Sequence, residues 1–327
     1  MSIIPAELKW YKPLVVNDTD SNGGQMSANQ SISGIKNNIF PDVSQDERVA
    51  GIIRHRKLFA KVANDDDETL YNARIHLISI TPGEDFVTFF ACAPADTQVD
   101  ITGSEREYGA GTLKNDVNAG GTSVVATVES SSMAVVFVDT DKIWIGDGVN
   151  SEYHENVTVA KVGNDYTITL DAGDTLLNNY AAATPTYVAS VYEPSDVEAS
   201  VDNVVKTTSA GTATDPLDCV ADNIGAIEDS ITITFTDDTN FTVSGVRAGS
   251  MGSGNISTNL EPINPDFSKP YFVFNASNWG GTWAAGETLT FDLHPASTPV
   301  WFKQQALPGT NSYSGDNFRV RVGGESA

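Results

Sequence analysis

The amino-acid sequence predicts an all-β protein: a β-sandwich built from two separated segments, a small inserted β-barrel, and an extended N-terminal arm. Three observations predict it. Apolar and polar residues alternate with a period of two, as in Tyr71, Ala73, Ile75 and Leu77 against Asn72, Arg74 and His76, or Leu289, Phe291 and Leu293 against Thr288, Thr290, Asp292 and His294. Clusters of Gly, Asn, Asp and Thr interrupt that alternation every ~8–12 residues. No stretch of useful length carries the 3.6-residue spacing of an amphipathic helix.

The elements follow in order. Residues 1–45 read as an assembly arm, because a short apolar patch (Leu8, Trp10, Tyr11, Leu14, Val15, Val16) precedes a polar, Gly- and Asn-rich stretch that cannot bury itself. Ser44-Gln45-Asp46-Glu47 has the pattern of a capping box opening one helical turn. Residues 46–108 supply the first part of the sandwich, with strands at 58–62, 71–77 and 86–91. Three strands are too few for comfortable independent stability, so this segment is expected to pair with the last one, residues 229–327. Between them, residues 109–193 read as about six short strands around Gly146-Asp147-Gly148 and Gly163-Asn164-Asp165 turns, the spacing of a small barrel. Residues 194–228, rich in Thr, Ser, Ala and Asp, read as a linker.

Charge narrows the partners. The 327 residues carry 19 Lys+Arg against 43 Asp+Glu, a formal net charge of -24. Nucleic-acid affinity rests on neutralising phosphates with basic side chains, and here these concentrate in Arg54-His55-Arg56-Lys57 and in Arg319 and Arg321. Free nucleic acid is therefore not an expected partner. No run approaches the roughly 20 apolar residues of a membrane span, so membrane insertion is not expected either. The first residues lack the basic-then-apolar pattern of a secretory leader, which predicts folding in the cytoplasm of the producing cell. Cys92 and Cys219 are read as buried thiols, with a disulfide left open.

The search for chemistry yields little. His55, His76, His154 and His294 show no partner at catalytic spacing, with His76 and His294 on the polar phase of their strands. Gly249-Ser250-Met251-Gly252-Ser253-Gly254 lacks the Lys-Ser/Thr ending and the following helix of a phosphate loop. Asp65-Asp66-Asp67-Glu68 and the group Asp139, Asp141 and Asp147 are read as solvated turns, with a structural cation as the alternative. No carboxylate pair is singled out for a glycosidase, so the expectation is a non-enzymatic protein without cofactor or metal. Two aromatic groups remain. Trp10, Tyr11 and Phe40 are candidate assembly contacts, and Trp279, Trp283 and Trp301 are candidate glycan or partner contacts, with core packing as the plainer reading of the tryptophans.

Residues 278–291, reading NWGGTWAAGETLTF, and Pro295-Ala296-Ser297-Thr298-Pro299-Val300-Trp301 resemble a recurring ending of tail-region structural proteins in Mu-like and related tailed bacteriophages. Gly23-Gly24-Gln25-Met26-Ser27, residues 38–44 (NIFPDVS), Arg56-Lys57-Leu58-Phe59 and Leu70-Tyr71-Asn72-Ala73 are similar to the opening of the same group. The middle module, with Tyr166-Thr167-Ile168-Thr169-Leu170, resembles small barrels of phage structural proteins. The resemblance implies a virion subunit of the tail or baseplate, without catalytic residues, working through contacts with tube, baseplate or hub proteins in a homo-oligomeric ring. A neck or head–tail connector, a decoration protein and a host-glycan-binding tail module are the alternatives.

Overall fold

The computed structural model describes residues 2–326. The chain is almost entirely antiparallel β-structure, arranged as three units. It opens with β1 (Leu8–Val15), β2 (Gly23–Ser31), the short helix α1 (Gln45–Ala50), β3 (Ile52–Val62), β4 (Tyr71–Ser79) and β5 (Asp85–Ala91). A second unit follows with β6 (Ala110–Leu113), β7 (Ser123–Thr127), β8 (Ile143–Gly146), β9 (Ser151–His154), β10 (Thr158–Val162), β11 (Asp165–Thr169) and β12 (Tyr187–Ser190). A third holds β13 (Ser200–Thr207), β14 (Ala210–Ala213), β15 (Cys219–Ala221), β16 (Asp229–Phe235), β17 (Asn240–Gly245), β18 (Gly249–Asn255), β19 (Ile263–Asn264), β20 (Lys269–Pro270), β21 (Phe272–Phe274), β22 (Trp279–Thr282) and β23 (Thr288–His294). The chain then returns to the first unit with β24 (Ser297–Ala306) and β25 (Arg319–Glu325).

In the first unit, five strands lie in the order β2-β1-β3-β24-β5. β24 is the keystone: it pairs with β3 from Ser297↔Lys61 to Ala306↔Ile52, and with β5 from Val300↔Ala91 to Ala306↔Asp85. A β4–β25 pair forms a second layer, and Ile75 and Leu77 share one apolar cluster with Leu58, Val87, Phe89, Val300 and Phe302. The first and last β segments thus pair, as the shortage of strands in the first one demanded. However, residues 229–294 do not join them. They build a separate unit with β13, β14 and β15, which lie in the stretch expected to be a linker. Its five-stranded sheet runs β13-β23-β16-β17-β18, and the alternating Ile231, Ile233, Phe235 and Leu289, Phe291, Leu293 all point into its core.

The N-terminal residues are not a free arm. β1 pairs with β3 from Leu8↔Val62 to Tyr11↔Phe59, and β2 pairs with β1 along its outer side. Buried Tyr11 and Met26 gain apolar burial in that position, which a solvated arm would lack. The capping box forms as read: the Glu47 N–H donates to Ser44 Oγ at 3.4 Å, and the Ser44 N–H to Glu47 Oε2 at 2.7 Å.

The second unit is a seven-stranded sheet, β10-β11-β7-β6-β12-β8-β9, curled around one core but not a closed barrel. The irregular stretch before β8 occupies the gap between its edges: the Thr140 N–H donates to Val157 O at 2.8 Å, and the Val157 N–H to Asp141 O at 3.2 Å. Met133, Val136 and Phe137 of that stretch fill the core, so apolar contact closes the roll where no strand ladder does.

In the third unit Phe235 stacks on Trp283 with ring centroids 4.4 Å apart and planes 7° from parallel. Trp283→Ala is expected to lower the stability of this unit by about 3–5 kcal/mol, measured by denaturant unfolding with hydrogen exchange. Exchange should rise over residues 200–294 before it rises in β3 and β24.

Candidate functional site

The aromatic residues singled out in the sequence lie mostly inside. Tyr11 is 6% exposed and meets Phe267 edge-on at 5.8 Å, Trp10 leans on Phe302 at 5.8 Å, and Phe40, 8% exposed, lies 6.3 Å from Phe318. These three side chains seat the N-terminal hairpin and the following loop on their own chain, Trp10 half-buried and the other two buried. Trp283 and Trp301 are 2% and 1% exposed. Trp279 is half-buried among Phe235, Phe241, Phe274 and Trp283. Trp283 and Trp301 are therefore closed to a sugar face, while Trp279 keeps part of its surface exposed.

What remains on the surface is the far half of the hairpin. The β1–β3 ladder stops at Tyr11↔Phe59, while β1 and β2 stay paired to Val15↔Gly23. Along this departing stretch Leu14 is 56%, Val15 38% and Val16 49% exposed. Ile32 and Ile35, just after β2, are exposed too. β2 is an outer strand of its sheet; Gly23 and Gly24, at the end beside Val15, are bridged to the 96–98 stretch, and the edge lies open only farther along the strand.

The tip is anchored. Asn22, fully buried, donates to His55 O at 2.9 Å and to Gln98 Oε1 at 3.0 Å. Arg56 donates to Asn17 O at 2.9 Å and pairs with Asp18 at 2.7 Å. The basic run of β3 is thus turned inward: Arg54 binds Glu47, and Lys57 donates to the carbonyls of Ala93, Pro94 and Asp96 at 2.8, 2.8 and 2.9 Å. The basic run is a set of internal clamps.

The acidic turns serve the backbone. Asp67 accepts the Asn223 N–H at 2.7 Å, Asp139 the Val159 N–H at 2.8 Å, and Asp147 the N–H groups of Val149 and Asn150. Asp141 binds Arg106 at 2.6 Å. Among the described residues, no group of three His, Cys, Asp or Glu side chains converges to hold a metal ion. The glycine-rich 249–254 stretch is β18, paired with β17.

The histidines gain partners that sequence spacing concealed. His154 Nδ1 lies 2.7 Å from Asp174, and its Nε2 lies 3.2 Å from Glu152. The two carboxylates sit on opposite sides of the ring, and Glu152 also accepts the Leu177 and Asn178 N–H groups, so the cluster fastens the 171–186 loop to β9. His294 lies between Glu228 at 3.0 Å and Asp202 at 3.1 Å. Burial draws its pKa down, but the two carboxylates outweigh burial and raise it. His76, expected on a polar face, is buried against Trp144 at 4.9 Å and bonds the Tyr153 hydroxyl at 3.0 Å. The reason is that the second unit covers the outer side of β4.

Two further buried groups stand out. Lys61 of β3 is 1% exposed where the first unit meets the third, with one long bond to Ala226 O at 3.4 Å and the Phe267 ring 5.2 Å away. Burial draws its pKa down to about 7, and the Asp222 charge offsets this only in part. Between the first and second units lies a cleft of about 380 Å³, lined by Phe86, Glu129, Leu307, Pro308 and neighbouring polar residues. Burial pushes the Glu129 carboxyl up to about 7.

Comparison with protein-family models, curated proteins and solved structures found no match.

Two expectations follow. Lys61 binds its proton less tightly when folded than when unfolded, so its contribution to stability should rise between pH 7 and about pH 10. Lys61→Met should add about 2–4 kcal/mol at pH 7 in chemical unfolding and remove that rise. His76 is held neutral, its pKa drawn down to about 4 by burial, so stability should fall as the pH drops from about 6.5 towards 4. His76→Gln, which keeps a partner for Tyr153, should remove up to about 3 kcal/mol of that acid loss.

Proposed function

We propose that this chain is a non-enzymatic structural subunit of a tailed-phage particle, placed in the tail or baseplate, that acts through assembly contacts. The observation carrying the proposal is the anchored hairpin that presents Leu14, Val15 and Val16 to solvent and, farther along, the outer edge of β2 beyond Gly24. Exposed apolar side chains next to unpaired strand backbone suit strand-to-strand contact with a neighbour, because hydrogen bonds supply pairing and side chains supply selectivity. The neighbour in this reading is another copy of the chain in a ring, or an adjoining tail protein.

Three more features support it. The hairpin is tied back to β3 by Arg56 and Asn22, so little ordering entropy is lost on docking. The formal charge of -24 resists unspecific association of free subunits. The resemblance to tail-region proteins involves segments that form β2, β3 and β24 around the hairpin, and also the start of β4 and, in the third unit, β22 and β23. No helix among the described residues is long and apolar enough to cross a membrane, and the proposed location is the virion after assembly in the bacterial cytoplasm.

The test replaces Leu14 and Val16 by Asp. Both side chains are solvated in the free subunit, so the variant should keep the wild-type circular dichroism and unfolding midpoint. Analytical ultracentrifugation should show the wild type forming a discrete oligomer and the variant sedimenting as a monomer. Particles made with the variant alone should lack assembled tails. Wild-type-like tails built from the variant would overturn the assembly role of the hairpin.

A further inference from the structure

We propose that the free edge of β25 docks an extended segment of a different protein, one in which acidic and apolar residues alternate, as a third strand beside β4 and β25. β25 pairs with β4 alone. Among the described residues, the backbone of residues 319–325 makes no bridge or backbone hydrogen bond beyond that ladder. An open edge of this kind offers unpaired N–H and C=O groups to an incoming strand.

Charge marks the edge. Burial alternates along the strand, with Arg319 and Arg321 exposed and Val320 and Val322 half-buried in apolar clusters. Among the described residues, neither arginine forms an ion pair or a side-chain hydrogen bond. The acids of this region have other partners. Arg74 lies 3.9 Å from Glu193 and 3.5 Å from Glu325, and Lys142 lies 2.9 Å from Glu155. Asp316, three residues before β25, accepts the Gly83 N–H at 3.2 Å. Two unmatched arginines so close together stand out in a chain of formal charge -24.

Charged side chains and bulges also guard strand edges, and β25 has register shifts between Arg319 and Val320 and between Gly323 and Glu325. Between those shifts, Val320 to Gly323 pair regularly with Leu77 to Arg74. A guard of this sign repels basic strands and admits acidic ones.

The pattern of the occupant follows from β25 itself. Residues of an added strand lie opposite those of β25, with Cβ atoms about 5 Å apart. Acids belong opposite Arg319 and Arg321, and apolar residues opposite Val320 and Val322. The other edge of β4 already holds a stretch of this type. There Leu70 and Val197 exchange N–H···O bonds of 3.0 Å, Ile75 bridges Tyr192, and Glu193 faces Arg74. Asp196-Val197-Glu198 is the one acid–apolar–acid triplet of the sequence, and Val197 is 7% exposed in that position. A second copy therefore has no free segment of the required pattern, and the occupant is a different protein. The inference does not rest on the hairpin reading, since it uses another element.

Titration calorimetry on the full chain at neutral pH and low salt tests it, with a synthetic octapeptide of alternating Glu and Val as the probe. The peptide should bind, and hydrogen exchange should slow over residues 319–325. Arg319→Glu combined with Arg321→Glu should weaken binding at least about tenfold, and added salt should weaken it in the wild type. A Lys-Val octapeptide, and a Glu/Val octapeptide with its acids in one block, should bind at least about tenfold more weakly. Both arginines are exposed, so the double variant should keep the wild-type circular dichroism. Arg319→Gln with Arg321→Gln serves if the reversed charges disturb folding, with a smaller loss in the same direction. No binding at millimolar peptide would overturn the proposal and leave the arginines as an edge guard alone. Undiminished binding to a folded variant, or equal binding of the blocked peptide, would overturn it as well.

Discussion

The antiparallel ladder that β24 makes on both of its edges holds the molecule together. The strand arrives after the second and third units have been traversed, and it fills the slot between β3 and β5. Val300, Trp301 and Phe302 are buried along it, each contributing on the order of 1.5–3 kcal/mol relative to exposure. Without it, β5 has no partner strand in the sheet and β4 has no β25. The other two units are thus insertions whose attachment points are brought together by one long-range pairing. Such pairing sets a high cost in chain entropy before any reward is collected, which makes slow folding the natural expectation.

The junctions between units add polar contacts to apolar ones: Trp144, Ala189 and Val191 of the second unit share a buried cluster with Ile75, Leu77 and Phe89 of the first. Asn223 donates to Asn64 Oδ1 at 2.7 Å and to Glu68 O at 3.0 Å, and its own Oδ1 accepts the Ala199 N–H at 2.9 Å. Lys61 lies nearby with little to bind. On the other side, His76, Arg74 and Tyr153 join the first unit to the second through ring and cation contacts. Apolar contacts join units without specifying an angle, whereas a satisfied polar network accepts one arrangement only. The restriction also fixes the direction in which the hairpin points from the first unit.

The internal use of basic residues bears on the same point. With Arg54, Arg56 and Lys57 turned inward, the exterior is more acidic than the composition alone suggests. The exposed apolar residues of the hairpin then stand against a background of negative charge. In the proposed assembly role, such a background opposes contacts other than those combining strand pairing with apolar contact, a form of selectivity by repulsion.

The all-β class was legible because period-two alternation survives in any sheet that has one wet face, as the Ile231–Phe235 and Leu289–Leu293 stretches show. The Ser44–Glu47 cap was legible because its partners are three residues apart. The inserted second unit was legible as a run of short strands, but not its open form, since Met133 to Phe137 carry no strand pattern and act only by filling space. The arm, the linker and the extent of the last segment that pairs with the first were misread for one reason: which strand neighbours which is decided by contacts between residues far apart in the chain. The same holds for the candidate surface. Trp10, Tyr11 and Phe40 lie in or beside the hairpin, but which of its apolar residues face water depends on where β1 leaves β3. Composition and periodicity determined that this chain makes sheets. Only the tertiary structure decided that Leu14 and Val16 stay outside while three tryptophans, three cations and His76 go in, because burial belongs to both faces of a strand and the sequence displays only one.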